Sequence, residues 1–268
     1  MAELTRSRSF LIRTATALLL IPVTLLFLWL DRIFIVIFVL SVINLALIEF
    51  LRICHRKNIY PYPACLFVLG NVIPFAIYFS FPPLAIASLS LFYIALLSTL
   101  RFDKTSFLDR VSVTVFASIY LVVLPSFVIL LRKIGFAYCL FPMVLTWIFD
   151  TGAYLAGMTL GRKRLAPTIS PKKSYEGVAG GLLLILPATY LLNGLFQTGL
   201  SLKSQLAVAL GISILATLGD LFESAFKRET DLKNTSNLFP GHGGALDRID
   251  SLLFTIPFFY IFLKLSGY

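Results

Sequence analysis

Runs of about 20 consecutive apolar residues recur along this chain and constrain its fold more than any other feature. Of its 268 residues, 58% are hydrophobic and only 13% are charged. A soluble domain of this length cannot hide so much apolar surface, whereas about 20 helical residues cross the hydrocarbon core of a bilayer. The sequence therefore predicts an all-α, polytopic membrane protein whose first apolar run is an anchor rather than a cleaved signal.

Nine transmembrane helices are predicted, with the N-terminus in the cytoplasm and the C-terminus outside. This orientation places 18 of the 23 Lys and Arg residues on the cytoplasmic side, as the positive-inside rule requires. The net charge of +10 is then explained by topology and by attraction to anionic lipid, not by nucleic acid. The predicted spans are 11–30, 33–53, 62–80, 83–100, 112–131, 135–156, 177–196, 204–226 and 251–268.

The two halves of the chain differ in character. Residues 1–134 are predicted to be an N-terminal transmembrane region that serves as scaffold, lipid access route and oligomer contact. Residues 135–268 carry more charge beside their spans, and two loops, 157–176 and 227–250, fall on the cytoplasmic side. The second half is therefore the predicted catalytic region.

In the first half, Glu49 lies one helical turn from Arg52, and we expect a local ion pair at the membrane interface. The three cysteines lack CxxC spacing and lie in or near apolar spans, so we expect buried small apolar residues.

The first candidate constellation begins at Asp150, a carboxylate within a span, which needs a partner or an ion. On a helix, Tyr154, Gly157 and Gly161 continue the same stripe. The two glycines fit the small-xxx-small pattern of closely packed membrane helices. Asp150 and Tyr154 are predicted to line the floor of a cavity.

The loop after this stripe is strongly basic, with five Lys and Arg residues between positions 162 and 173. Ser170 and Pro171 are predicted to form a turn, and Ser174 is predicted to cap a helix ahead of Glu176. The loop is interpreted as an anion site, although positive-inside topology alone explains part of its charge.

The second constellation is Asp220, Glu223, Ser224 and Lys227, which share one face of a helix. Two carboxylates one turn apart repel each other unless a cation or proton lies between them. Oxygen ligands without His or Cys favour Mg²⁺ over zinc.

The third constellation is a glycine-rich turn, Pro240–Gly244, followed by Asp247 and Asp250. Glycines permit positive φ and close approach of backbone to phosphate. Acidic residues at a helix N-terminus also stabilise the helix dipole, but that does not explain two acidic pairs surrounded by basic loops. Together the constellations indicate a metal-assisted phosphate site.

At these positions the chain resembles the phosphatidate cytidylyltransferases (CDP-diacylglycerol synthases). The resemblance covers about residues 140–255 and includes the block Ser170–Gly177. Asn234 and Ala245 depart from the family pattern, and Asn234 is left out of the metal set because it lacks a charge. The positions that fit the family signature are Ser224, Lys227, Arg228, Lys233, Ser236, Phe239, Pro240, His242, Gly243, Gly244, Asp247, Arg248 and Asp250.

The resemblance implies the reaction CTP + phosphatidate → CDP-diacylglycerol + pyrophosphate, with Mg²⁺ as cofactor. The family allows a second, monovalent ion such as K⁺. It also implies a homodimer in the cytoplasmic membrane, with the active site facing the cytoplasm.

The site residues follow from the resemblance and from the constellations. The predicted catalytic residues are Asp220, Asp247, Lys227, Arg248 and His242. The predicted substrate-binding residues are Lys172, Lys173, Ser170, Arg228, Lys233, Gly243, Gly244, Asp150 and Tyr154. The predicted metal ligands are Asp220, Glu223, Asp247 and Asp250.

Two alternatives stay open at this point. One is a CTP-dependent transferase or kinase that acts on another membrane lipid, such as a polyprenol. The other is an ion-coupled transporter, which would also place carboxylates within the bilayer.

Overall fold

The computed structural model describes residues 16, 18, 21–230, 235–236, 238 and 243–267. This part of the chain is built from helices and one two-stranded β-hairpin, so the predicted all-α class is confirmed apart from the hairpin. Of the predicted first span, 11–30, residues 21–29 are helical. Most of residues 11–20 lie outside the described part of the chain.

Most of the elements are joined by connections of a few residues. The fourth helix contains a π-helical segment at Ser118–Val123. In chain order the elements are α1 Arg32–Arg56, α2 Pro63–Tyr78, α3 Pro83–Leu100, α4 Phe107–Ile134, α5 Phe136–Leu160, β1 Arg164–Ala166, β2 Ser170–Ser174, α6 Tyr175–Phe196, α7 Leu202–Glu229, α8 Leu246–Ile249 and α9 Leu252–Leu265.

Within the described residues, six helices are long and apolar enough to cross a membrane: α1, α3, α4, α5, α6 and α7. Helix α2 has 16 residues and α9 has 14, so both are shorter than the predicted spans 62–80 and 251–268. The chain is thus a helical protein with several membrane-spanning candidates. The count of nine spans and the orientation of the termini stay predictions.

The chain forms two compact units. The first comprises residues 1–130 and 232–248, and the second comprises residues 131–231 and 249–268. The predicted functional division between residues 134 and 135 stays a prediction.

In the first unit, helix α1 buries one face along its length. A Cβ on Gly70 of α2 would lie 3.0 Å from the Leu47 Cδ1 atom on this face, so the two helices approach closely. The cysteines of both units, Cys54, Cys65 and Cys139, are buried, as predicted, and none of them forms a disulfide. The buried residues of α1 recur every three or four positions, at Ile35, Val39, Ile43, Leu47 and Phe50.

In the second unit, helices α5 and α6 pack through glycines. A Cβ on Gly181 would lie 2.8 Å from the Phe149 carbonyl oxygen, and one on Gly157 would lie 3.6 Å from the Gly177 Cα atom. The predicted close approach at Gly157 is therefore found, against α6. Gly161 follows the last residue of α5 as its C-cap.

The basic loop after α5 folds as an antiparallel hairpin of β1 and β2, which the sequence prediction did not anticipate. Ser170 and Pro171 were predicted to form the turn, and that prediction is wrong, because both lie in β2. The turn instead covers residues 167–169 and begins with Pro167, whose fixed φ favours a turn. The predicted cap at Ser174 is confirmed, since its hydroxyl accepts a hydrogen bond from the Gly177 N–H at 3.1 Å.

Candidate active site

Three aspartates of the second unit form an acidic cluster: Asp150 in α5, Asp220 in α7 and Asp250 in the turn before α9. Their carboxylates lie close enough to repel one another. Loss of solvent raises the pKa of the Asp250 carboxyl above its ordinary range, and the Asp220 charge raises it further. A cation beside these carboxylates would relieve that repulsion.

The approach of Asp250 to Asp220 is fixed by the backbone. A Cβ on Gly219 would lie 2.5 Å from the Asp250 carbonyl oxygen and 2.9 Å from the Ser251 Cα atom, so only glycine leaves room for this turn against α7. The Ser251 hydroxyl also donates to the Ala216 carbonyl oxygen at 3.2 Å. Helix α7 and the turn are thereby held together next to the acidic side chains.

Lys173 supplies a positive charge to the cluster. Its Nζ atom lies 2.7 Å from Asp220 Oδ2 and donates to the Thr217 carbonyl oxygen at 3.3 Å. The neighbouring Lys172 is exposed, because successive side chains of a strand point to opposite faces. The two predicted substrate-binding lysines therefore have different surroundings.

The helical face predicted for α7 is confirmed in its local contacts. Ser224 donates from its hydroxyl to Asp220 Oδ1 at 3.2 Å, and Glu223 forms an i,i+4 ion pair with Lys227. The Glu223 side chain is fully buried, so the ion pair holds a buried carboxylate next to the acidic cluster. The role of Glu223 as a metal ligand stays a prediction.

The basic hairpin is tied down at both ends. The Glu176 carboxylate accepts hydrogen bonds from the backbone N–H groups of Arg162 at 3.0 Å and Lys163 at 3.1 Å. On the other side, Arg228 Nε donates to the Ile169 carbonyl oxygen at 2.9 Å. These contacts leave the side chains of Arg162, Lys163, Arg164 and Lys172 exposed.

Two predicted substrate-binding residues lie apart from these charge contacts. Ser170 lies in β2 and is half-buried. Tyr154 is 68% exposed on α5. Their roles stay predictions, as does the cavity floor proposed for Asp150 and Tyr154.

In the first unit, Asp247 organises its own loop. Its Oδ2 atom accepts hydrogen bonds from the Thr235 N–H at 3.0 Å, the Thr235 hydroxyl at 2.9 Å and the Gly244 N–H at 2.8 Å. Gly243 has a φ of +84°, which is the left-handed conformation that glycine adopts readily. Arg248 follows with an exposed side chain, and the predicted residues Lys233 and His242 lie outside the described part of the chain.

Glu49 is the residue whose environment the sequence prediction missed. The expected ion pair with Arg52 is wrong: Arg52 is exposed, whereas Glu49 is 2% exposed and binds the loop that carries Asp247. Helical spacing could have predicted its burial, because Glu49 lies one turn from Ala46 and one turn from Ile53 on the buried face of α1.

The residue types of the acidic cluster fit a divalent cation. Within the described ranges, no three His, Cys, Asp or Glu side chains are arranged to hold a metal ion by themselves. Mg²⁺, however, is commonly held by one or two carboxylates together with substrate phosphates and water. A pair such as Asp220 and Asp250 meets that requirement.

Comparison with known proteins agrees with this chemistry. The profile of the cytidylyltransferase family matches residues 11–266. A phosphatidate cytidylyltransferase of Bacillus subtilis (strain 168) is 38% identical over 182 residues, which cover 66% of this chain and 68% of that protein. One of Thermotoga maritima is 40% identical over 169 residues, or 61% of this chain and 63% of that protein.

A third relative, the phosphatidate cytidylyltransferase of Haemophilus influenzae, is 41% identical over 132 residues, which cover 48% of this chain and 46% of that protein. The aligned segments thus span from about half to about two thirds of these relatives. The family profile, in contrast, extends over nearly the whole sequence. The chain belongs to the cytidylyltransferase family.

Proposed function

We propose that this chain is a phosphatidate cytidylyltransferase. It transfers the cytidylyl group of CTP to phosphatidate and yields CDP-diacylglycerol and pyrophosphate. The observation that carries this proposal is the cluster of Asp150, Asp220 and Asp250 with Lys173, in a chain whose relatives bear that enzyme name.

The reaction requires one anion to attack another. An oxygen of the phosphatidate phosphate forms a bond to the α-phosphorus of CTP, and the bond from that phosphorus to the bridging oxygen of the β-phosphate breaks. Repulsion between two unit charges at about 4 Å is about 1 kcal/mol in water and several-fold larger near protein. The site must therefore neutralise the phosphates and align the attacking oxygen with the leaving group.

Asp220 and Asp250 are the residues that we expect to hold Mg²⁺, with Asp247 and Glu223 as further predicted ligands. Bound there, the ion would neutralise phosphate charge and orient phosphate oxygens. Two features support this assignment. The three aspartates repel one another, and the Lys173 ammonium group lies beside only one of their carboxylates, that of Asp220, at 2.7 Å.

The basic residues of the chain neutralise the substrates. Lys173 lies beside Asp220, so its ammonium group can contact a phosphate without leaving the cluster. The exposed cations of the hairpin, including Lys172, attract the anionic headgroup and the triphosphate. The same task is assigned to Arg228, Lys233 and Arg248. Ser170 and His242 are assigned to hydrogen bonds with phosphate, and Gly243 and Gly244 to backbone contact with phosphate.

The remaining expectations concern the whole protein. We place the active site on the cytoplasmic face of the cytoplasmic membrane, because CTP is a cytoplasmic substrate and the positive-inside pattern puts the basic loops there. The homodimer and the monovalent ion suggested by the family are retained as proposals.

Position-specific labelling of CTP tests the function. Purified chain is supplied with phosphatidate or, in a parallel reaction, with a polyprenol in mixed micelles, together with CTP labelled at the α- or the γ-phosphate. The proposal predicts that the α-label enters lipid and the γ-label leaves as pyrophosphate. A γ-label in polyprenol would instead identify a lipid kinase, and solute flux in proteoliposomes without CTP turnover would identify a transporter.

A further inference from the structure

The Glu49 carboxylate of α1 receives four hydrogen bonds from Thr235, Ser236, Ala245 and Leu246. We call Thr235, Ser236 and residues 243–247, which the structure describes, the signature loop. Oε1 accepts from the Ser236 hydroxyl at 2.6 Å and from the Ala245 N–H at 2.9 Å. Oε2 accepts from the Thr235 hydroxyl at 2.8 Å and from the Leu246 N–H at 2.9 Å. The partners are separated from Glu49 by more than 180 residues of sequence, so this contact fixes the loop to a distant helix.

The Glu49 carboxylate depends on these hydrogen bonds because the residue is only 2% exposed and has little access to water. A buried carboxylate without donors is strongly disfavoured, and each donor that it receives is a charge-assisted hydrogen bond. Gly244 completes the fit: a Cβ there would collide with the Glu49 carboxylate and with the Thr235 hydroxyl. The last glycine of the predicted phosphate turn is therefore required by the packing of Glu49.

The Thr235 hydroxyl connects Glu49 to Asp247. Its oxygen lies 2.8 Å from Glu49 Oε2 and 2.9 Å from Asp247 Oδ2, so its single proton is shared between the two carboxylates. The Thr235 and Gly244 N–H groups bind the same Asp247 oxygen. A shift of the loop away from Glu49 would therefore also move the groups that orient Asp247.

We propose that Glu49 is a positioning residue for the cytidylyl transfer reaction: it holds the signature loop, and through Thr235 the Asp247 carboxylate, in the geometry that turnover requires. This inference rests on the proposed function and on the predicted role of Asp247. The role of Glu49 is to hold the loop, not to contact the substrate.

Glu49→Gln is a sharp test because each carboxylate oxygen accepts one hydroxyl and one backbone N–H. Whichever oxygen becomes an NH₂ group, one backbone N–H loses its acceptor and faces a donor. A hydroxyl can rotate to accept, but an N–H cannot. Ser236→Ala is the milder variant, since it removes one hydroxyl and leaves the backbone donors in place.

The assay measures kcat and KM for CTP per folded molecule, with folded protein quantified by size exclusion and circular dichroism. For Glu49→Gln we expect kcat/KM to fall by about tenfold or more, which corresponds to about 1.4 kcal/mol of transition-state stabilisation. Ser236→Ala should show a smaller loss. Glu229→Gln makes the same chemical change at an exposed position and should stay within about twofold of the wild type.

Amide hydrogen exchange gives a readout that does not depend on activity. In Glu49→Gln, the Ala245 and Leu246 amides should exchange about tenfold faster or more, because their acceptor is impaired. Unchanged exchange, or a loss of activity that only follows the loss of folded protein, would overturn the proposal. A wild-type protein without cytidylyltransferase activity would refute the proposed function, while the exchange comparison would still decide whether Glu49 holds the loop.

Discussion

At the scale of single residues, the carboxylates are stabilised in different ways. Asp220 pairs with Lys173, Glu223 pairs with Lys227, and Glu49 takes hydrogen bonds from the signature loop. Asp250 has lost solvent and lies near the charges of Asp220 and Asp150, and both effects raise the pKa of its carboxyl. The repulsion within the acidic cluster should therefore be measurable as a pH-dependent contribution of Asp250 to the stability of the folded protein.

Asp250→Asn should change how stability depends on pH. The raised pKa of Asp250 means that the folded protein keeps this proton where the unfolded chain has released it, so its contribution to stability falls as pH rises from the ordinary carboxyl range to the raised pKa. In the presence of a chelator, the thermal midpoint of Asp250→Asn relative to the wild type should rise between about pH 5 and about pH 8.

The exposed Asp109 provides the control, because Asp109→Asn should give a difference that does not vary with pH. A lost hydrogen bond from the Ser251 N–H to Asp250 Oδ1, 2.7 Å long, would add only a constant offset. A difference for Asp250→Asn that is equal at both pH values would contradict this interpretation.

Residue patterns predicted the local contacts of α7 but not those of Glu49. Helical spacing places Asp220 beside Ser224 and Glu223 beside Lys227, since these pairs are four residues apart. The partners of Glu49 are far away in sequence, and spacing within one helix carries no information about them. A local ion pair was therefore expected where a long-range contact exists.

At the scale of elements, the helix pair α5 and α6 depends on the absence of side chains at its contact. Gly181→Ala should destabilise the protein by about 1–3 kcal/mol, the usual penalty of overpacking. The added Cβ would lie 2.8 Å from the Phe149 carbonyl oxygen and 2.7 Å from carbon atoms of its ring. Thermal unfolding in detergent measures this as a lower midpoint.

Gly194→Ala is the matched control on the same helix, because nothing lies within 4 Å of a Cβ at that position. Alanine is favoured over glycine inside a helix by about 1 kcal/mol, so this variant should be as stable as the wild type or more stable. Equal midpoints for the two variants would show that α5 and α6 do not depend on the glycine contact.

The helices were predictable at this scale, and the hairpin was not. Long apolar runs predict helices because the backbone N–H and C=O groups of a segment inside a bilayer must be hydrogen-bonded within the protein. The segment 164–174 is short and basic and contains two prolines. Either proline fits a turn, and the structure has the turn at Pro167 and not at Pro171. The hairpin is instead held by distant contacts, such as the one from Arg228 to Ile169.

At the scale of the whole molecule, the predicted orientation can be tested with single cysteines. The native cysteines are buried, so a membrane-impermeant maleimide should report an introduced, exposed thiol. Lys203→Cys should react in intact expressing cells, whereas Lys104→Cys should react only after the membrane is permeabilised. The reverse result would place the basic loops outside and contradict the proposed cytoplasmic site.

The most direct test of the account is the Mg²⁺ dependence of CDP-diacylglycerol formation by Asp220→Asn, with Asp109→Asn as the matched exposed control. We expect the wild type and the control to form product only when a divalent cation is present. Asp220→Asn should lose about a hundredfold or more of the rate at saturating Mg²⁺, equivalent to about 2.7 kcal/mol. Wild-type turnover in chelator, or an Asp220→Asn rate equal to that of the control, would contradict it.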